Sequence, residues 1–141
     1  MEDGSINLHL VGKLQSNKSE EAHNLFNYIH SLDNEKLAKT LSLIENSTSR
    51  KIKYFVQVNI GNEPQKNGLE IAMVKDFVYY CKNDLKLNII GLMCLPPIDE
   101  DPDKYFKELR KLAIDNSLKE LSMGMSNDYI SAIKKIGRAH V

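Results

Sequence analysis

The sequence predicts an α/β protein built on a parallel sheet with crossover helices, and three observations carry that prediction. Apolar, strand-like runs alternate with amphipathic, helix-like runs along nearly all of the 141 residues. Residues 87–95 (LNIIGLMCL) are almost continuously apolar, as a strand buried on both faces requires. Helix-start signals recur between the runs, the clearest being Asp101 followed by Pro102, an N-cap and N1 pair. Length and alternation do not separate a closed barrel from an open sheet.

In order, residues 6–12 (INLHLVG) read as the first strand. Ser19 caps a helix through Phe26, with Glu20 and Glu21 in its favourable first turn. Residues 28–32 form a short strand. Asp33 caps the next helix, whose Leu37, Leu41 and Ile44 share a face. Residues 52–60 (IKYFVQVNI) are β-branched and aromatic, a long strand. A polar loop around Pro64 leads to a helical stripe of Ile71, Val74, Val78 and Cys81. Pro96 and Pro97 stop the 87–95 strand. Phe106, Leu109 and Ala113 carry the inner face of the helix after Asp101, and a last helix ends at Gly137 before residues 139–141 enter a further strand.

Composition excludes several classes. Nineteen basic residues balance nineteen acidic ones, and no basic block gives nucleic acid a footprint. No apolar run approaches the ~20 residues of a membrane span, and no signal peptide is read at the start. Cys81 and Cys94 lack metal-ligand spacing, so the reading is two buried, reduced thiols in a cytoplasmic protein. No two histidines make a helix-spaced metal pair. His9, His30 and His140 read as core or rim histidines, and His23 as a helix-surface residue.

The stretch 121–128 (LSMGMSND) organises the functional reading. An apolar lead-in, a glycine between methionines and then Ser126 read as strand, tight turn and helix start. The free N–H groups of such a start suit a phosphate. Ser126 is a phosphate ligand or a plain helix cap. Ser122 joins it or packs inside the sheet. Met93 and Met123 near strand ends line a ring or fill gaps. Asn59 contacts a ligand or is a turn amide.

Five motifs resemble the YggS/PROSC family of pyridoxal phosphate homeostasis proteins, in family order and spacing. They are residues 9–18 (HLVGKLQSNK), 29–33 (IHSLD), 57–66 (QVNIGNEPQK), 91–97 (GLMCLPP) and 121–126 (LSMGMS). The resemblance implies a (β/α)8 TIM barrel of the alanine racemase N-terminal type, of which this chain covers strands three to seven and the start of strand eight. Residues 1–141 would then be a single incomplete barrel domain. It implies a bound pyridoxal 5′-phosphate (PLP), with Ser126, Met123, Ser122, Gly124, Met93 and Asn59 as cofactor-binding residues and no metal. The implied role is cofactor carrying and buffering without robust turnover, with PLP-dependent apo-enzymes as partners. The alternatives are a racemase-like PLP enzyme or an inactive fragment.

The departures are equally specific. The family holds the cofactor aldehyde as a Schiff base on a lysine of its first strand, upstream of the matched segment, and many members have histidine where Lys13 stands. The second-strand Gly-Glu-Asn motif and the last-strand Arg-x-Gly-Thr or Arg-x-Gly-Ser motif are also missing from the matched residues. A barrel short of strands leaves unpaired edges, so the 141-residue chain alone is expected to self-associate or to be poorly stable.

Overall fold

Among the described residues, five strands run parallel, each hydrogen-bonded to the next one in the chain, in the order β1-β2-β3-β4-β5. They are β1 (His9–Leu10), β2 (Tyr28–Leu32), β3 (Lys53–Val58), β4 (Asn88–Cys94) and β5 (Glu120–Met123). The structure is a computed structural model, and it describes residues 7–61, 67–97 and 99–123. The longer helices between the strands are α1 (Ser19–Leu25), α2 (Glu35–Thr48), α3 (Val74–Tyr79) and α4 (Pro102–Asp115). Strict chain order without the reversal of a doubly wound sheet makes this a half-barrel.

Strand alternation divides the interior. Ile29, Tyr54, Val56, Val58, Leu92, Cys94 and Met123 pack with Leu37, Leu41, Phe77 and Leu109 in one cluster between sheet and helices. Gly91 lets β5 approach β4, opposite Glu120 in the register. Beneath α2, buried Glu45 accepts from the Ile52 N–H at 3.1 Å and the Tyr54 hydroxyl at 2.7 Å. Those two bonds tie the helix to the start of β3.

Several local expectations move by a residue or a turn. A 3-10 turn, Ser16–Lys18, precedes α1, so Ser19 is the first helical residue and not its cap. Asn34 rather than Asp33 caps α2, accepting from the Leu37 N–H at 2.9 Å. Asp33 instead accepts from the Gly68 N–H at 2.9 Å. Ile71 is exposed in a separate 3-10 turn, and α3 runs on into a π turn, Tyr80–Asp84, that buries Cys81. Tyr105 joins Leu109 and Ala113 on the buried face of α4, while Phe106 is half-buried. Asp101 and Pro102 open α4 as read, with Asp101 accepting from the Asp103 N–H. His23 is buried, a correction to the surface reading: its Nε2 lies 2.8 Å from the Arg50 carbonyl, and the Arg50 guanidinium donates back to the His23 and Phe26 carbonyls. The last helix and strand read from sequence lie outside the described residues. No helix among the described residues is long and apolar enough to cross a membrane.

Both cysteines are free and buried. Burial, followed by the field of Glu35, pushes the Cys81 thiol up to about 12. Burial, followed by Glu108, does the same to Cys94. Burial and then Glu45 raise the Tyr54 phenol. Above the ordinary thiol value of 9.0 the unfolded chain loses protons that the folded chain keeps. Stability is therefore complete below pH ~9 and falls as the pH climbs towards 12. Thermal melts across that window should show a falling Tm, with a shallower fall for Cys81→Ala; a flat Tm would contradict this.

Candidate functional site

The face of the sheet turned away from the helices carries the polar chemistry. Phe55, Gln57, Met93 and Ser122 alternate with the helix-facing residues and are buried. Gln57, Met93 and Ser122 are register partners across β3, β4 and β5, so they form one row. His30 of β2 is 1% exposed, and its ring stacks on Phe55 with centroids 4.2 Å apart.

Both nitrogens of His30 are engaged. Nδ1 lies 2.6 Å from Ser122 Oγ, and Nε2 lies 2.9 Å from Nδ1 of His9. His9 stacks on Tyr28 at 4.0 Å with the rings 3° from parallel. Three strand spacings separate β2 from β5, roughly 14 Å in a flat sheet. A bond between His30 and Ser122 therefore requires the sheet to curl, and it makes this face concave. The result is a chain of hydrogen bonds, His9–His30–Ser122, running from the border strand to the C-terminal end of β5.

The rim at the C-terminal strand ends is pinned. Beyond β3 the chain returns, so that Leu69 pairs with Val58; the Leu69 N–H donates to the Gln57 carbonyl and the Asn59 N–H to the Leu69 carbonyl. Gly68 makes that return possible. Its φ is +115°, and a Cβ there would lie 2.7 Å from the Asn59 nitrogen. Asp33 at the end of β2 holds the same return through the Gly68 N–H.

Of the residues singled out from sequence, Ser122, Met93 and Asn59 come together. Ser122 and Met93 are adjacent register partners, and Asn59, half-buried, continues the alternation of Phe55 and Gln57. Met123 parts from them. Alternation places it on the helix side of β5, in the core cluster with Leu109, where it fills space between sheet and helix. Gly124 and Ser126 lie outside the described residues. Lys13, beyond β1, is exposed. His30, Phe55 and Gln57 were not singled out as site residues. Gln57 carried a signal, being an amide within an apolar strand run; His30 had only a place in step with the non-core side of its strand.

No family model matches the chain. It is 36% identical over 137 residues to the pyridoxal phosphate homeostasis protein of a Synechocystis species, covering 91% of this chain and 63% of that protein. It is 32% identical over 146 residues to the protein of the same name from Aquifex aeolicus, covering 96% and 63%. PipY of Synechococcus elongatus, in a structure with PLP bound, superimposes with a TM-score of 0.77 at 31% identity, covering 92% of this chain and 65% of PipY. An alanine racemase from Clostridium difficile shares the fold, with a TM-score of 0.66 at 11% identity. The chain thus spans a little under two thirds of the curated relatives that it matches. In sequence and in fold, over that stretch, the chain is similar to the YggS/PROSC-type pyridoxal phosphate homeostasis proteins.

Proposed function

We propose that the concave face is part of a PLP site, in a single barrel domain, and that the whole protein holds and hands on this cofactor without robust turnover. The observation that supports the reading is the buried Ser122 hydroxyl, held by His30 in a row with Met93 and Gln57 near the C-terminal strand ends of a half-barrel, where (β/α) barrels carry their sites; the related PipY has PLP bound.

The residues present fit the group. Phe55 and Met93, both fully buried, make the floor of the face apolar, and Ser122, Gln57 and Asn59 bring a hydroxyl and two amides to it. Ser31, beside His30, has a buried hydroxyl with no hydrogen-bond partner among the described residues. Gly124 and Ser126 join the proposed set on the sequence pattern alone, which suits a phosphate. When bound, PLP supplies an electrophilic aldehyde to amines. The part of this chain is to seat the ring, orient the phosphate end and shed water from the concave face. PLP-dependent apo-enzymes are the proposed recipients, and the cytoplasm the proposed compartment.

The test uses the product of the complete reading frame that carries this sequence. After addition of PLP and gel filtration, the protein is expected to retain the visible absorbance of the cofactor and to racemise amino acids no faster than free PLP does. Racemisation well above the free-cofactor rate would replace the carrier reading with the racemase one. Loss of all cofactor on the column would end both.

A further inference from the structure

The hydrogen-bond chain on the concave face has a direction, and an anionic ligand would choose it. A serine hydroxyl has one proton, and a neutral imidazole carries one proton on one of two nitrogens. His30 Nδ1 faces Ser122 Oγ at 2.6 Å and His30 Nε2 faces His9 Nδ1 at 2.9 Å, so each contact holds one proton. Only two neutral arrangements satisfy both. In the first, Ser122 donates to His30, and His30 donates from Nε2 to His9; both rings are Nε2–H tautomers. In the second, His9 donates from Nδ1 to His30, and His30 donates from Nδ1 to Ser122; both rings are Nδ1–H tautomers.

The two arrangements differ in what Ser122 offers. In the first its only proton is spent on His30. In the second that proton is free to point at a ligand. A phosphate oxygen accepts hydrogen bonds and has no proton to give when fully ionised, so it selects the second. Burial sharpens the choice, because Ser122 is only 6% exposed and its hydroxyl is shielded from bulk water, and the Phe55 stack fixes the ring plane of His30.

We propose that His30 is a positioning residue that acts through Ser122, and that an anionic phosphate group beside Ser122 switches both His9 and His30 from the Nε2–H to the Nδ1–H tautomer. The proposal rests on the PLP reading above and adds to it a residue, a direction and a signal. The switch moves protons along existing hydrogen bonds, so nothing is oxidised, reduced or released. It carries occupancy of the site to His9 on the border strand β1.

The experiment is nitrogen-15 NMR of the imidazoles in the product of the complete reading frame, recorded alone and with PLP, with pyridoxal and with inorganic phosphate. Saturating PLP should convert both rings to Nδ1–H, and pyridoxal, which lacks the phosphate, should not. A switch with inorganic phosphate as well would mean that any phosphate suffices; a switch with PLP only would mean that the ring must hold the ester in place. Either supports the proposal. Ser122→Ala should bind PLP about tenfold or more weakly and lose the switch, and Ser122→Thr, which keeps the hydroxyl, should retain it. The ligand series decides the matter even if Ser122→Ala fails to fold. Rings unchanged by bound PLP, or changed equally by pyridoxal, overturn the relay and leave the cofactor reading standing. Failure to retain PLP at all overturns the cofactor reading and the relay with it.

Discussion

Gly91→Ala should cost about 3 kcal/mol or more of folding stability. A Cβ on residue 91 would fall on the Glu120 carbonyl oxygen and 2.6 Å from its carbonyl carbon. Both obstructing atoms belong to backbone, in the register pair that joins β4 to β5, so no side-chain rotation relieves the contact. Either β5 withdraws or β4 bends. Both responses disturb the pairing of Met93 with Ser122 two residues on, and with it the His30–Ser122 bond. Urea unfolding of the variant should therefore show a lower midpoint, and PLP binding should weaken in parallel. Gly12→Ala is the control. Among the described residues, no atom beyond its chain neighbours lies within 4 Å of a Cβ at that position, so it should be neutral or stabilising by up to about 1 kcal/mol. Equal midpoints for the two variants would refute the close-approach argument.

Glu45→Ala should be destabilising by a similar amount, about 3–5 kcal/mol. The carboxylate is 2% exposed and serves two donors, the Ile52 N–H and the Tyr54 hydroxyl. Alanine leaves both donors buried without their acceptor, which costs more than the bonds themselves contribute. The Lys51 ammonium, 3.7 Å away and more than half exposed, adds little, because solvent screens it. Tyr54→Phe removes one donor and leaves the Ile52 bond in place, so its loss should be nearer 1 kcal/mol. Glu45→Gln keeps one carbonyl oxygen and should fall between the two. Denaturant titrations of the three variants would expose an error if Glu45→Ala proved no worse than Tyr54→Phe.

Local chemistry was legible in the sequence, and distant pairing was not. The alternation of runs gave five parallel strands near the expected positions because β-branched stretches and amphipathic stretches differ in period. Asp101 and Pro102 were readable because an N-cap and N1 pair acts within one turn. Asp33 and Asn34 are both good caps, and the choice fell to Asn34 because Gly68, 35 residues away, claims Asp33. His23 looked like a surface residue because the Arg50 carbonyl that receives it lies 27 positions on. In the site, Ser122 and Met93 were legible as strand-end residues. Met123 was assigned with them and parts from them by a single step of the pleat. The His30–Ser122 bond joins positions 92 apart, and no window along the chain contains both.

That bond spans the bowed sheet as a string spans a bow. Tension applied at β1 or β2 reaches β5 directly, without travelling through the backbones of β3 and β4. Cutting the string, as His30→Phe would, should let the arc relax and loosen strands at opposite ends together, so that amide protons of β2 and β5 begin to exchange at one common rate while those of β3 lag behind.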